Sequence, residues 1–470
     1  MPRTYRKGFL LAALAGSILS AHAAETEYNL LDVYNLALKN DAQLAAARAD
    51  MMVTQEGSSQ ARALLLPNLS LTGGTQYNKT KSETTGGDLK DSYNSNTWGA
   101  SLNQPLFNMA SWFGYDSAKF QSSQAEATFG FEQQNLILRV SEAYFNVLRA
   151  EDSLITSIAE EKAVKQQLDQ ARERYNVGLI AETDVLEARA RYDSARVTRI
   201  EGENNLSVSY EALRTITDMD IQDIGKLKKT MPVSAPTPAN SDQWVNNALK
   251  SNLQLEAARE SLKAAESNIK VKKSGHAPTV DAFASYNYSS SNADSARTPT
   301  TNPETGLPVS MTGDGDQTVV GVKFTLPLFA GGGTSSQVRQ ATYQMESVQQ
   351  NYDKALREIN SGTRNLFRTV NSDVSRVEAR CQGIVSSESA LKATQSGYEV
   401  GTRNITDVLD AQKTLFAAQR DYLNARYDFI VNTLKLKQTA GTLSPEDLSE
   451  LNGWIVSSEE MSIPAQCRAD

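Results

Sequence analysis

Two kinds of apolar spacing take turns along the chain, and each occurs twice. Leu69, Leu71 and Tyr77, then Trp98, Ala100 and Leu102, fall on one parity, with Ser70, Thr72, Asn78, Ser101 and Asn103 on the other. Later, Val280, Ala282, Ala284 and Tyr286, then Val320, Val322, Phe324 and Leu326, alternate with Asp281, Ser285, Asn287, Lys323 and Thr325. Period two sustained over about ten residues predicts strands with one apolar and one polar face. Residues 79–96 and 289–317, rich in Gly, Ser, Asn and Thr, read as exposed loops inside each strand pair.

The second spacing is helical. Leu136, Val140, Ala143, Val147, Ala150 and Leu154 step by four and three, and Val164, Leu168, Ala171 and Tyr175 continue the frame. Beyond Gly178 it resumes in Val185, Ala188, Tyr192 and Ala195, and again in Val408, Ala411, Leu415 and Ala418. This is a heptad seam, and its many alanines let helix axes approach closely. No proline interrupts residues 106–231 or 328–444, so each interval can hold very long helices. A helix over residues 118–176 would be about 90 Å long. The helix predicted next, 183–216, is little more than half that, as is a leading helical segment of about 34 residues in each half (30–65 and 241–274). Two short helices set end to end would match one long one.

The two halves are copies. Ala37-Leu38-Lys39 with Gln43-Leu44 returns as Ala248-Leu249-Lys250 with Gln254-Leu255, and Leu66-Pro67-Asn68-Leu69 as Ala277-Pro278-Thr279-Val280, both at an offset of 211. Pro105-Leu106-Phe107 returns as Pro327-Leu328-Phe329 at 222, and Tyr175-x-Val177-Gly178 with Asp184-Val185-Leu186 as Tyr398-x-Val400-Gly401 with Asp407-Val408-Leu409 at 223. The extra residues of the second copy lie between Pro278 and Pro327. The organisation expected is a leader (1–23), a first repeat (24–230), a linker (231–240), a second repeat (241–441) and a C-terminal helix with tail (442–470).

Arg3, Arg6 and Lys7 precede an apolar run, and Ala21-His22-Ala23 follows as a small-x-small site, the layout of an export signal cleaved after Ala23 or Ala24. Removing those three cations takes the formal charge from −8 to −11, which argues against nucleic acid as a partner. The rest of the chain then holds one histidine, His276, and two cysteines, too few for a His/Cys zinc site or a Ser/His/Asp arrangement. No cofactor and no enzymatic activity are expected. Cys381 and Cys467 would meet oxidising conditions after export, where a disulfide and two free thiols are equal alternatives. Gly331-Gly332-Gly333-Thr334 lacks the lysine of a phosphate loop, and Asp314-Gly315-Asp316 lacks a full calcium-loop pattern.

No apolar run beyond the leader reaches the roughly 20 residues of a spanning helix, so any membrane span must be β. Four strands cannot close alone in lipid, since outer-membrane barrels begin at about eight. Two, three or four copies would close one, and three or four would leave a lumen.

Over residues 30–451 the chain resembles the TolC family of outer-membrane efflux and secretion channels. The similarity rests on Ala143-Tyr144-Phe145-Asn146-Val147-Leu148, Tyr175-Asn176-Val177-Gly178-Leu179, Thr183-Asp184-Val185 and the stretch from Val400-Gly401-Thr402-Arg403 to Asp407-Val408-Leu409-Asp410. The resemblance implies a mainly α fold with β: a homotrimer whose twelve-stranded outer-membrane barrel continues into a twelve-helix periplasmic α-barrel, with a mixed α/β equatorial belt. It implies a passive exit duct for drug efflux and type I secretion, recruited by a periplasmic adaptor and an inner-membrane RND or ABC transporter and seated in outer-membrane lipid.

Asp407 and Asp410 share a helix face, and spacing alone leaves a solvated helix N-terminus and a pore constriction equally open. The resemblance matches them to the family's periplasmic-entrance acids. It further implies a gate latch in which Tyr398 and Arg403 bond Asp184 and Thr183 of a neighbouring hairpin, with Gln167 nearby. Adaptor contacts are implied at Val177, Gly178 and Leu179 and at Val400, Gly401 and Thr402. A surface-anchored trimeric coiled-coil adhesin or scaffold is the competing expectation.

Overall fold

A computed structural model of the chain describes residues 27–84, 87–292, 300–301, 308–309, 313–456 and 467. The expected leader lies outside the described residues. In chain order the elements are α1 (Leu30–Asn40), α2 (Ala42–Ala63), β1 (Asn68–Thr84), β2 (Gly87–Phe107), α3 (Met109–Asn176), α4 (Glu182–Thr217), β3 (Lys226–Leu227), α5 (Ser241–Ser251), α6 (Leu253–Lys273), β4 (Thr279–Ser291), β5 (Thr300–Thr301), β6 (Pro308–Val309), β7 (Gly313–Thr325), α7 (Gly333–Glu399), α8 (Ile405–Thr439), α9 (Pro445–Asn452) and β8 (Ile455–Val456).

Each leading segment, expected as one helix, is two. Asp41 and Asn252 adopt extended backbone (ψ 115° and 121°) at matching breaks. Their own N–H groups close the helix behind them, onto Ala37 and Ala248. Their side chains cap the helix ahead, accepting from Leu44 N at 2.6 Å and Leu255 N at 3.0 Å. One short polar side chain thus ends one helix and starts the next, which apolar periodicity does not register. Asp41 is also held by both Nη atoms of Arg139, each at 2.9 Å.

The long helices run 68 residues in α3 and 67 in α7, each about 100 Å. α3 starts earlier than residue 118, directly after β2, because Asn108 caps it by accepting from Ser111 N. α2 lies beside the first half of α3 (Gln55 to Glu126, 3.0 Å) and α4 beside its second half (Arg199 to Glu161, 2.6 Å). α7 is flanked in the same way, by α6 through Leu255 and Ile359 and by α8 through Asn432 Nδ2 to Asp373 (2.7 Å). No helix among the described residues is long and apolar enough to cross a membrane.

The four long strands form one antiparallel sheet in the order β1-β2-β4-β7. Register aligns one parity across all four: Leu69 faces Leu102, Leu102 faces Ala284 and Ala284 faces Val320. On that face Leu69, Leu71, Val320, Val322 and Phe324 are exposed, and the Trp98 ring sits 5.2 Å from Tyr286 and 6.0 Å from Tyr288. The other face carries polar pairs such as Ser70–Ser101, 2.7 Å between hydroxyls. Gly321 lies under Phe283 there, and a Cβ would meet the ring at 2.8 Å. The loop expected over residues 79–96 is largely strand, since β1 and β2 stay paired from Asn68↔Asn103 to Thr84↔Gly87. Ladder hydrogen bonds need no apolar face, so a Ser/Thr/Asn/Lys composition hides a strand from a periodicity argument. Between Ser291 and Gly313 the described residues include only Asn292 and the short pair β5–β6.

Midway along the helices lies the main core. Leu30 and Val33 of α1, Leu136, Tyr144 and Phe145 of α3, Leu213 of α4, and Ile430 and Leu436 of α8 are fully buried in it. Tyr144 Oη donates to Gly225 O at 2.6 Å, and β3 pairs with β8 beside it. Cys381 on α7 is joined to Cys467, whose side chain is buried in the same core, with Cα atoms 4.9 Å apart. On α3, Asp152 accepts from the buried Tyr427 hydroxyl at 2.5 Å.

Burial pushes the Asp152 carboxyl up to about 6, helped by nearby Glu151 and opposed by the Tyr427 bond, Lys226 and Arg426. A pKa raised in the folded state means that proton uptake favours folding, so this site contributes stability as pH falls through about 6 towards the ordinary 3.8. Asp152→Asn, which keeps an acceptor for Tyr427, should unfold at a higher temperature than the unsubstituted protein near pH 7.5, by roughly a few degrees. The difference should close towards pH 5, and circular dichroism melts in detergent at both pH values will show it.

Candidate functional site

The far ends of the long helices make two matching turns. Val177 caps the end of α3 and Val400 that of α7, and each is followed by a glycine with left-handed backbone, Gly178 (φ 77°) and Gly401 (φ 79°). Gly178 N donates to Tyr175 O and Leu179 N to Arg174 O, while Gly401 N donates to Tyr398 O and Thr402 N to Gly397 O. Both are paired C-terminal caps of the kind that glycine permits at no steric cost. No atom within 4 Å would obstruct a Cβ at either glycine, so φ alone requires it. The turns leave apolar side chains in solvent: Val177, Leu179 and Val400 are each more than 70% exposed.

Behind the turns the two hairpins of one chain pack together. Val164, Leu168 and Ala171 of α3, Ala188 of α4, and Ile405 and Leu409 of α8 form a separate buried cluster, with Tyr398 of α7 and Tyr192 of α4 against it. Polar contacts cross the same junction. Arg191 Nη2 donates to Asp410 Oδ1 at 2.6 Å, the Thr406 hydroxyl bonds the Glu187 carboxylate, and the Arg174 guanidinium lies 4.6 Å from the Tyr398 ring centre.

Asp407 and Asp410 lie on the first turns of α8, but their surroundings differ. Asp407 belongs to a capping box: its backbone N–H donates to Asn404 Oδ1 at 2.7 Å, and its carboxylate accepts from Asn404 N at 3.4 Å. Arg403 Nη1 approaches it at 3.8 Å. The helix-terminus reading therefore describes Asp407 within one chain, without bearing on what it does in an assembly.

The residues of the expected latch reach the tip without bonding one another inside one chain. Thr183 is exposed, Asp184 and Gln167 are half-buried, and Arg403 is engaged with Asp407. Among the described residues the buried Tyr398 hydroxyl has no hydrogen-bond partner, and neither has Gln412 Oε1 on α8. Sequence reasoning assigned no role to Arg191, Thr406, Arg174 or Glu187. Their partners sit on the other hairpin, 219 residues away for both Arg191–Asp410 and Glu187–Thr406. A repeated offset of 219 would have been the only trace.

An open sheet with one apolar face, mounted on helical hairpins about 100 Å long that meet at paired tips, defines an outer-membrane channel protein. The model of the outer membrane efflux protein family matches residues 33–218 and 244–442, and the chain belongs to that family. It is 36% identical over 447 residues to outer membrane protein TolC of Vibrio cholerae, covering 95% of this chain and 97% of that one. It is 28% identical to the proteases secretion protein PrtF of Dickeya chrysanthemi, covering 96% of both chains. The solved structure of the outer membrane protein VceC from Vibrio cholerae matches in fold with a TM-score of 0.72 at 18% identity, covering 88% of this chain and 96% of that one. The chain is an outer-membrane exit channel for efflux and secretion, and the adhesin expectation falls.

Gly401→Ala should cost about 1–2 kcal/mol at the tip, because a left-handed alanine is strained however much space surrounds it. Gly401→Asn should cost less. Limited proteolysis should cut the α7–α8 turn faster in the alanine variant than in the asparagine variant, with the main core unaffected.

Proposed function

We propose that three copies of this chain close into a twelve-stranded barrel in outer-membrane lipid and a twelve-helix tunnel in the periplasm, girdled by a belt of α1, α5, α9 and the β3–β8 pair. The observation that carries this reading is the sheet order, which among the described residues leaves β1 and β7 each with one unpaired edge. An unpaired strand edge in lipid costs several kcal/mol per bare backbone group, and β1 of one copy beside β7 of the next satisfies both. Three copies give a lumen wide enough to conduct, and no reaction chemistry is assigned to the chain. The two repeats then supply equivalent parts of the wall, about residues 24–230 and 241–441.

The tips form the periplasmic mouth. Asp407 and Asp410 supply six carboxylates around the axis and so a cation-preferring constriction. Arg403 and Tyr398 face Asp184 and Thr183 of the adjoining hairpin, with Gln167 nearby, and hold the mouth closed. Support comes from Arg403, whose side chain is 62% exposed and lies 3.8 Å from Asp407, so that its guanidinium stays open to a second carboxylate. A single exposed ion pair is worth only about 0–1 kcal/mol, so threefold repetition of the contacts is what latches the mouth. The exposed turns Val177-Gly178-Leu179 and Val400-Gly401-Thr402 are the docking points for a periplasmic adaptor, itself coupled to an inner-membrane RND or ABC transporter. The duct is passive, and energy enters only through those partners.

Planar-bilayer recording tests this reading. The purified protein should conduct with cation preference, and Asp407→Asn with Asp410→Asn should abolish that preference. Arg403→Ser with Tyr398→Phe should raise single-channel conductance severalfold. Unchanged conductance would count against the latch, and unchanged selectivity against the ring.

A further inference from the structure

Within one chain the mouth carboxylates are not bare. Asp410 is paired with Arg191 at 2.6 Å, and Asp407 lies 3.8 Å from Arg403. Each chain therefore brings two guanidinium groups to two carboxylates, and their formal charges cancel. The two cations are placed differently. Arg403 is four residues before its aspartate on the same hairpin, so the two travel together. Arg191 reaches Asp410 from the other hairpin, and its placement depends on how α4 packs against α8.

That packing is specific. Glu187 and Thr406 meet one helical turn before Arg191 and Asp410, and the sequence separation is 219 in both contacts. Equal separations one turn apart mean that α4 and α8 run parallel and in register here, with the two contacts as successive rungs. Beneath them Ala188 and Leu409 are buried, so the small alanine lets the axes approach while the rungs stay at the rim. Both rim side chains remain in water, 40% exposed for Arg191 and 55% for Asp410. Their pairing is consequently open to salt and to any change in hairpin spacing.

We propose that Arg191 is a specificity-determining residue of the mouth: by neutralising Asp410 from the opposite hairpin it sets how strongly the pore prefers cations. This rests on the reading of Asp407 and Asp410 as the constriction and adds the group that tunes it. Arg191→Gln leaves one uncompensated carboxylate per chain, three around a threefold axis. A ring of like charge concentrates counter-ions in a confined mouth.

The test is planar-bilayer recording of the full protein and five variants, reading reversal potential in a potassium chloride gradient and block by hexaamminecobalt(III). Arg191→Gln should strengthen cation preference and lower the half-blocking concentration about tenfold, an effect that fades near 1 M salt. Arg191→Lys should stay close to the unsubstituted protein. Asp410→Asn should shift selectivity the other way, and adding Arg191→Gln to it should restore near-original behaviour. If Asp410→Asn alters selectivity while Arg191→Gln alters neither readout, this inference alone is overturned. If the unsubstituted protein conducts nothing, or the Asp407→Asn, Asp410→Asn double variant keeps its selectivity, the channel-mouth reading fails and takes this inference with it.

Discussion

The backbone hydrogen bonds along two strand edges govern the rest of this structure. β1 and β7 each pair on one side only, and the sheet they bound has an apolar face running across all four strands. In water such edges could be solvated. In lipid they must be paired, because nothing else there accepts or donates. The apolar face demands lipid and the edges demand closure, and a single chain with four long strands can satisfy only the first. The proposed closure by further copies follows from the sheet, and the strand pairs lead into the long helices, β2 into α3 across one residue and β7 into α7 across seven.

The helical part solves a different problem, that of holding a tall wall with few connections. A 68-residue helix is covered by two shorter ones laid end to end, and the joint between them falls at the main core. Asp41 and Asn252 end α1 and α5 and start α2 and α6 without exposing bare helix ends. Away from the belt the burial thins. At the tips a small apolar cluster and a few exposed polar contacts join the two hairpins. The proposed mouth lies at this thinly held end, where contacts worth about 1 kcal/mol or less each are easily exchanged.

How much of this was legible depended on whether the signal was local. Period-two alternation located all four long strands, and the heptad frame through Leu136, Val140, Ala143 and Val147 marked residues that are buried. Glycines at 178 and 401 marked the turns because a left-handed position leaves a residue-type signature. The breaks at Asp41 and Asn252 were missed, since a capping side chain in an otherwise helical composition resembles any surface polar residue. The strands over residues 79–96 were missed because ladder pairing leaves no mark in polar composition. The tip rungs were beyond local reading altogether: Arg191 and Asp410 are ordinary exposed charges until the two hairpins are brought together. The family resemblance supplied the roles expected of the tip residues, and the structure added which of them have partners within one chain.

The central claim is that the unpaired edges of β1 and β7 require assembly into a closed cylinder. Native mass spectrometry of the purified protein in detergent tests it most directly. The account predicts a single species of three chains that survives dilution, with no stable monomer. A monodisperse monomer that keeps its full strand content would contradict it.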